Sequence, residues 1–488
     1  MTYNHRVILK TIAVVILFEG LFMLIPLVFA VIQGESGPAS ALALTSASCI
    51  ILGLTVYKKL KYYTLKIKVR ESYFIAFNCW IAVCLIGTLP FALSGCGYSY
   101  ADCLFESISG WTTTGAWAIN INELPRSLIL WKGISNWLGG LGLLLLTTSF
   151  FPVLGVQGQK MVAAELPGPE LEKMSARFSD TAKLTYVIYI ALTVAEFLLL
   201  LPSGLDFFTA AANTMSTIST AGLLDYQSQV SENLTPYVKV IFSVFSVAGS
   251  LNFMVYFLLC TGKWKTALKN IELRTFLLLL FCGSLLITAV LLISGTYDSF
   301  GSALLDSVTQ AVAFGATSGF EVGDINAWPT ACKMVLLILL LIGGCANSTS
   351  GSIKVIRFIV FLKLIARGLY KRIHPRAVRP VMIQGRPISA AGVSSITVFL
   401  MLYFAILIFS FIVLSLENQD METTLCTAVA AITNNGTCFG EIIGGNFSIF
   451  SPFGKLYSAL LMLTGRLELY AVLVIFSHSF WNADRARS

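Results

Sequence analysis

Charge is the first thing this chain lacks. Only 12% of its 488 residues are Asp, Glu, Lys or Arg, while 56% are hydrophobic. Soluble domains carry roughly twice that share of charge. The shortage excludes a disordered protein and an ordinary cytosolic enzyme. Histidine is scarce too: only His5, His374 and His478 occur, and none belongs to an HExxH motif. Ser318 sits in a Thr-Ser-Gly turn, but it has no histidine on its side of the membrane to act as a base. The eleven cysteines form no CxxC pair, which removes zinc ribbons and haem attachment. Most of them lie in apolar runs, where they act as small hydrophobes; Cys96 and Cys103, both near an outer loop, leave one disulfide open. No GxxxxGK[ST] and no GxGxxG is present, so the chain has no nucleotide-binding motif of its own. Formal net charge is +8, but the basic residues are confined to short loops between apolar runs. They speak for membrane topology and against nucleic acid. An all-α polytopic membrane protein remains.

A spanning helix needs about 20 apolar residues. Ten segments qualify: 8–32, 41–60, 72–94, 127–151, 184–202, 237–261, 274–294, 331–365, 393–416 and 454–480. The first is too long for a signal peptide and reads as a span. Of 33 Lys and Arg, 27 fall in segments 6–10, 58–70, 160–183, 263–274, 354–386 and 485–487. The positive-inside rule therefore places both termini in the cytoplasm. Arg126, Lys132, Lys239, Lys333 and Lys455 stand at or near the starts of spans, and Arg466 alone lies deep within one.

The four outer segments, 95–126, 203–236, 295–330 and 417–453, share a plan. Each holds a semi-apolar stretch too short to span, which suggests a re-entrant half-helix. Each then reaches a small polar turn ending in glycine: Thr112-Thr113-Thr114-Gly115, Ser219-Thr220-Ala221-Gly222, Ala316-Thr317-Ser318-Gly319 and Thr433-Asn434-Asn435-Gly436. Thirteen residues before each glycine stand Asp102, Thr209, Asp306 and Thr423, expected as helix N-caps. Nine before stand Glu106, Asn213, Gln310 and Thr427, all polar. The repeat predicts span, capped half-helix, turn, span. A dehydrated cation needs oxygen ligands on several sides. Extended backbone supplies carbonyls, glycine allows the required angles, and half-helices aim their negative ends inward. Four such segments around one axis are the design of a potassium selectivity filter. Asn434 stands where the other three have threonine, so the four-fold symmetry is imperfect in its side chains.

Span 331–365 is interrupted by Gly343-Gly344-Cys345-Ala346-Asn347-Ser348-Thr349-Ser350-Gly351. This small, polar run weakens helix and lies beneath the third turn. It is expected to form a movable gate, with tight packing through small residues as the alternative. The intramembrane charge of Arg466 is expected to face a cavity or a partner. Pore-facing, it would repel cations; otherwise Glu19 or Glu196 are candidate partners. The outer acids, Asp306 and Glu321 among them, would concentrate cations at the mouth or cap half-helices. The loop 354–386 carries nine basic residues and no acid, which suits anionic lipid or a cytosolic regulator.

WTTTGAW at 111–117, TISTAGL at 217–223, ATSGF at 316–320 and LTGRLELY at 463–470 resemble the TrkH/KtrB family of bacterial potassium-uptake proteins over nearly the whole chain. The resemblance implies four span–pore-loop–span repeats around a central pore in one subunit. Their expected bounds are 66–160, 161–262, 263–370 and 371–488. The two extra spans of 1–65 place the chain nearer the TrkH branch. It further implies a gating loop at 343–351, an arginine below the filter at Arg466, and potassium as substrate with no cofactor bound. A homodimer on a TrkA-like nucleotide-binding ring, in the bacterial inner membrane, is implied as well. A proton- or sodium-coupled symporter and a subunit of an ATP-driven pump are the alternatives.

Overall fold

The computed structural model describes residues 5–60, 69–142, 178–222, 234–321, 323–377 and 379–476. These residues are helical almost throughout, and among them one short hairpin pairs Met382–Ile383 with Arg386–Pro387. Among the described residues, six helical spans are long and apolar enough to cross a membrane, and two bent pairs raise the count to eight. The expected boundaries at 65/66 and 160/161 lie outside the described residues. So do 143–151 of the fourth expected span, 477–480 of the last, and His478. The helix Val355–Ile373 runs through 370/371 without a break.

The N-terminal pair folds against the first repeat. Helices α1 (His5–Phe22) and α2 (Leu24–Gln33) form one span, and α3 (Ser36–Lys59) returns beside it. Glycine lets them approach: a Cβ on Gly20 would stand 2.7 Å from Cys49 Cβ, and one on Gly53 2.8 Å from Leu17 Cβ. The pair also reaches the pore repeats. The Glu35 carboxylate accepts the Arg126 and Ser127 backbone N–H groups at 3.0 and 3.1 Å, capping the second span of repeat 1. Phe29 stacks on Phe208 of repeat 2 at 5.1 Å.

Each repeat contributes a long first span, a half-helix and a second span. The half-helices are Tyr100–Trp111, Phe207–Ile218, Phe300–Gly315 and Met421–Thr433. Their N-caps correct the expectation. Ser99, Asp206, Ser299 and Asp420 hold the cap position, and Asp102, Thr209, Asp306 and Thr423 lie inside the first two turns. The reason is visible at Ser99. Its Oγ accepts the Asp102 N–H at 3.2 Å and bonds Asp102 Oδ2 at 2.6 Å. A reciprocal cap uses polar residues three apart, and sequence alone does not say which begins the helix.

Ion pairs join successive repeats on the side where the half-helices begin. Lys239 pairs with Asp306 at 2.7 Å, Lys333 with Glu422 at 2.8 Å and Lys455 with Asp102 at 2.6 Å. Each lysine opens a second span, and each acid sits early in the next repeat's half-helix. Between repeats 1 and 2 the pattern changes. There Arg126 lies over the Phe208 ring at 5.5 Å, beside the Phe29 stack and the Glu35 cap.

The second spans bend. Helix Pro236–Ser250 turns by 92° into Phe253–Cys260, and Pro452–Arg466 turns by 111° into Tyr470–Phe476. The expected spans 237–261 and 454–480 are therefore broken, as 331–365 is. Asn252 restarts the first of these by accepting the Met254 N–H at 2.9 Å. At the other break Glu468 and Leu469 take positive φ of 50° and 61°.

Candidate functional site

The four turns adopt one backbone conformation. Their second residues have left-handed φ: 55° at Thr113, 55° at Thr220, 54° at Thr317 and 56° at Asn434. The glycines follow with 75° at Gly115, 90° at Gly222, 62° at Gly319 and 73° at Gly436. β-Branched residues resist this region, and asparagine tolerates it better. Three threonines held there cost of order 1–3 kcal/mol each, which persists only where the surroundings enforce it. Asn434 is thus the residue type that fits the conformation most easily, and the departure in the fourth turn does not disturb the backbone symmetry.

The same hydrogen bonds tie each turn to its half-helix. Thr113 N–H donates to Gly110 O, Thr220 to Thr217 O, Thr317 to Phe314 O and Asn434 to Ala431 O, at 3.0, 2.9, 3.2 and 3.4 Å. One residue on, Thr114, Ala221, Ser318 and Asn435 donate to Ser109 O, Ser216 O, Ala313 O and Ala430 O. These N–H groups thus turn back toward the half-helix, and the carbonyls are left on the other side. Among the described residues, the carbonyls of Thr113, Thr114, Gly115, Thr220, Ala221, Gly222, Thr317, Ser318, Gly319, Asn434 and Gly436 accept no hydrogen bond. The residues that carry them are buried or nearly so. Such groups are expensive unless something polar meets them.

The turns close into a ring. A Cβ added to Gly115 would overlap Ala221 O, one on Gly319 would overlap Asn435 O, and one on Gly436 would overlap Thr114 O; on Gly222 it would lie 2.9 Å from Ser318 O. Each glycine faces the carbonyl just before the next repeat's glycine, in the order 1, 2, 3, 4, 1. The last seam is reinforced outside the ring. Trp117 N–H donates to Gly445 O and Phe447 N–H to Trp117 O, both at 2.7 Å.

The broken third span lies directly beneath. Helices Thr330–Ile342 and Val355–Ile373 flank a folded loop. Thr317 Oγ1 bonds Ser350 Oγ at 2.9 Å and accepts the Gly351 N–H at 2.9 Å. Thr349 Oγ1 reaches Ile218 O and Gly249 O at 3.2 and 2.9 Å. A Cβ on Gly351 would overlap Thr433 O. Gly344 N–H donates to Ser350 Oγ at 3.0 Å, Ser348 Oγ to Cys345 O at 2.5 Å, and Asn347 O accepts the Phe253 N–H at 3.1 Å. Gly343, with φ 71°, ends the upper helix. The loop therefore touches the inner ends of half-helices 2 and 4 as well as the third turn.

Arg466 stands beside this loop, half-buried, at the end of its helix. Its guanidinium donates to Thr349 O at 3.0 Å, to Gly140 O at 2.6 Å and to Gly139 O. The expected partners Glu19 and Glu196 have no hydrogen-bond partner among the described residues, so neither pairs with it. Its donors are taken instead by carbonyls at the end of helix Arg126–Gly140 and in the loop of the third repeat, which have no intrahelical partner. Below it, Glu468 pairs with Arg357 of the lower helix.

Sequence reasoning missed several contributors. Gly139, Gly249 and Gly465 lie where a Cβ would crowd Trp111 O, Ile218 O and Ile432 O, the ends of their own half-helices. A glycine 24 to 29 residues after each turn glycine was the available signal. No disulfide joins Cys96 and Cys103.

Residues 39–483 match the family model described as TrkH, cation transport protein. The chain is 31% identical over 471 residues to the Trk system potassium uptake protein TrkH of Escherichia coli (strain K12), covering 96% of this chain and 97% of that one. It is 29% identical over 487 residues to the Trk system potassium uptake protein TrkG of the same organism, covering 99% and 100%. Its structure resembles the crystal structure of the potassium transporter TrkH from Vibrio parahaemolyticus. The TM-score is 0.87 at 26% identity, over 98% of this chain and 100% of that one.

Proposed function

This chain belongs to the TrkH family of cation transport proteins and moves potassium across a membrane as a multi-pass protein, and we propose that the ion passes through the ring of four turns. Backbone carbonyls of Thr112–Gly115, Ser219–Gly222, Ala316–Gly319 and Thr433–Gly436 replace its water. The observation that carries this reading is the ring itself: buried carbonyls without hydrogen bonds, arranged in cyclic order, with four half-helix C-termini behind them. The loop from Gly343 to Gly351 closes the path beneath, and Arg466 holds it shut while opposing cations by charge. The chain divides at the repeats proposed above. Both termini lie on the side opposite the ring, in the cytoplasm of a bacterium whose inner membrane holds the protein. The basic face of 354–386 meets anionic lipid and a TrkA-like cytosolic nucleotide-binding regulator, with the chain as a homodimer.

The test is ion flux into liposomes holding this chain alone. Potassium uptake should follow the potassium gradient and membrane potential, and outrun sodium uptake. Uptake that demands a proton or sodium gradient would favour a coupled symporter, and uptake that demands ATP hydrolysis would favour a pump subunit.

External pH should modulate this flux through Glu321. This residue lies in the outer loop after the third turn, outside the spanning helices. Its Oε1 accepts the Gly444 N–H at 2.8 Å and the Thr437 hydroxyl. Burial pushes its carboxyl up to about 7; the two hydrogen bonds pull it down less, and Asp324 adds to the rise. A raised acid favours the protonated folded form, so its stability contribution is greatest below about pH 4.5 and is lost as pH rises toward 7. Conversely, the negative charge that attracts cations builds up as pH rises through about 7. Potassium uptake at subsaturating concentration should rise roughly twofold from pH 6 to 8. Glu321→Gln should flatten the profile, and an unchanged profile would remove Glu321 from the mouth.

A further inference from the structure

Behind the first turn lies an ion pair that the inter-repeat bridges do not use. Glu106 stands nine residues before Gly115 in the half-helix, and Lys132 seventeen after it in the second span. Both side chains are completely buried. Lys132 Nζ donates to Glu106 Oε2 at 2.5 Å and to Ala116 O at 2.5 Å, and lies 3.3 Å over the Trp117 ring. Glu106 Oε1 accepts the Ala118 and Ile119 N–H groups at 2.7 and 3.0 Å. Ser109 Oγ adds a second donor to Ala116 O at 2.7 Å. The pair thus grips four consecutive residues that begin where the ring's carbonyls end. With two donors upon it, Ala116 O is withheld from any ion, while Gly115 O is left open.

Stability alone does not require this arrangement, because well-packed apolar residues often match or exceed a buried ion pair. What charge adds is direction: two opposed groups whose charge-assisted hydrogen bonds are stronger and more geometrically specific than neutral ones. Among the described residues, the other repeats lack it. The corresponding Asn213 and Gln310 amides have no partner among the described residues, and Thr427 Oγ1 bonds only its own helix at Thr423 O. Lys239, the lysine at the matching distance in repeat 2, is committed to Asp306.

We infer that Glu106 and Lys132 are positioning residues that fix the outer end of the first filter segment and thereby set the ion preference of the whole ring. The inference rests on the filter reading above. It treats the ring as a closed contact set, in which displacing one segment shifts the carbonyl that its neighbour's glycine touches.

The experiment measures potassium and sodium uptake by the full chain in liposomes, for Glu106→Gln, Lys132→Met and the double variant. The double variant leaves no unpaired buried charge and is the one expected to fold best. Each should lose roughly tenfold in potassium-over-sodium preference, equivalent to about 1.4 kcal/mol, with potassium uptake still measurable. A folded double variant with unchanged preference would overturn the assignment. Gly436→Ser serves as the separating control. If it abolishes preference while the double variant does not, the clamp fails and the filter stands; if neither changes preference, the filter reading fails first. Should the variants not fold, amide exchange in the unaltered protein decides. Ala118 should exchange at least tenfold more slowly than Phe439, its counterpart three residues after the turn glycine of repeat 4. Equal rates would overturn the clamp.

Discussion

Gly436→Ser should abolish discrimination between potassium and sodium while leaving the protein folded. The added Cβ would overlap Thr114 O and lie 3.0 Å from Ala116 N, both backbone atoms of repeat 1. Neither is a flexible side chain that can swing aside. The position also holds a φ of 73°, which costs an L-residue of the order of 1–2 kcal/mol. Relief comes only from moving one of the two segments, and either movement re-spaces the carbonyls. Ion selectivity depends on that spacing and on the number of carbonyls. Relative uptake of the two ions should fall at least roughly tenfold, the change that about 1.4 kcal/mol of differential binding produces. Gly262→Ser is the matched comparison: it has φ 74° but open space around it. It should lose some stability and keep its preference. If both variants discriminate as well as the parent, the four turns are not where ions are sorted.

Arg466→Ala should raise potassium flux. The guanidinium links three repeats through Thr349 O, Gly139 O and Gly140 O. Hydrogen bonds from a charged donor contribute about 1.5–3 kcal/mol each. Losing the Thr349 tether alone should move the loop's open-to-closed ratio by roughly tenfold or more. Removing a positive charge from beneath the ring acts in the same direction. Rubidium influx into liposomes at fixed protein density is the measurement. Arg466→Lys, which retains the charge but cannot span three carbonyls, divides the two contributions. Flux at or below the parent level in a folded Arg466→Ala protein would mean that the arginine holds the path in shape rather than shut.

The features legible in the sequence were those that recur. Four turn glycines, four polar positions nine residues earlier and the alternation of basic loops are periodic, and period survives without coordinates. The interrupted run at 343–351 was legible because so many small polar residues cannot sit comfortably in one apolar helix. The breaks at Ser250–Asn252 and Arg466–Leu469 were not, because each involves only two or three residues between long apolar stretches. The lysines opening the second spans were visible, but their partners were not. They lie 67, 89 and 353 residues away, and only closure of the ring brings them together. Arg466 was singled out as an intramembrane charge, yet its partners are main-chain carbonyls, which carry no signature in any sequence.

The ring written in a single chain has a genetic consequence. In an assembly of four identical subunits every substitution is imposed four times, so a change useful in one quadrant is tested in all of them at once. Here each quadrant has its own codons. One can keep an asparagine where three keep threonine, one can unwind into a folded loop, and one can carry a buried charge pair that the others do without. The three unlike quadrants around Gly436, Ser350 and Glu106 are the kind of divergence that duplication followed by fusion permits and that self-assembly forbids.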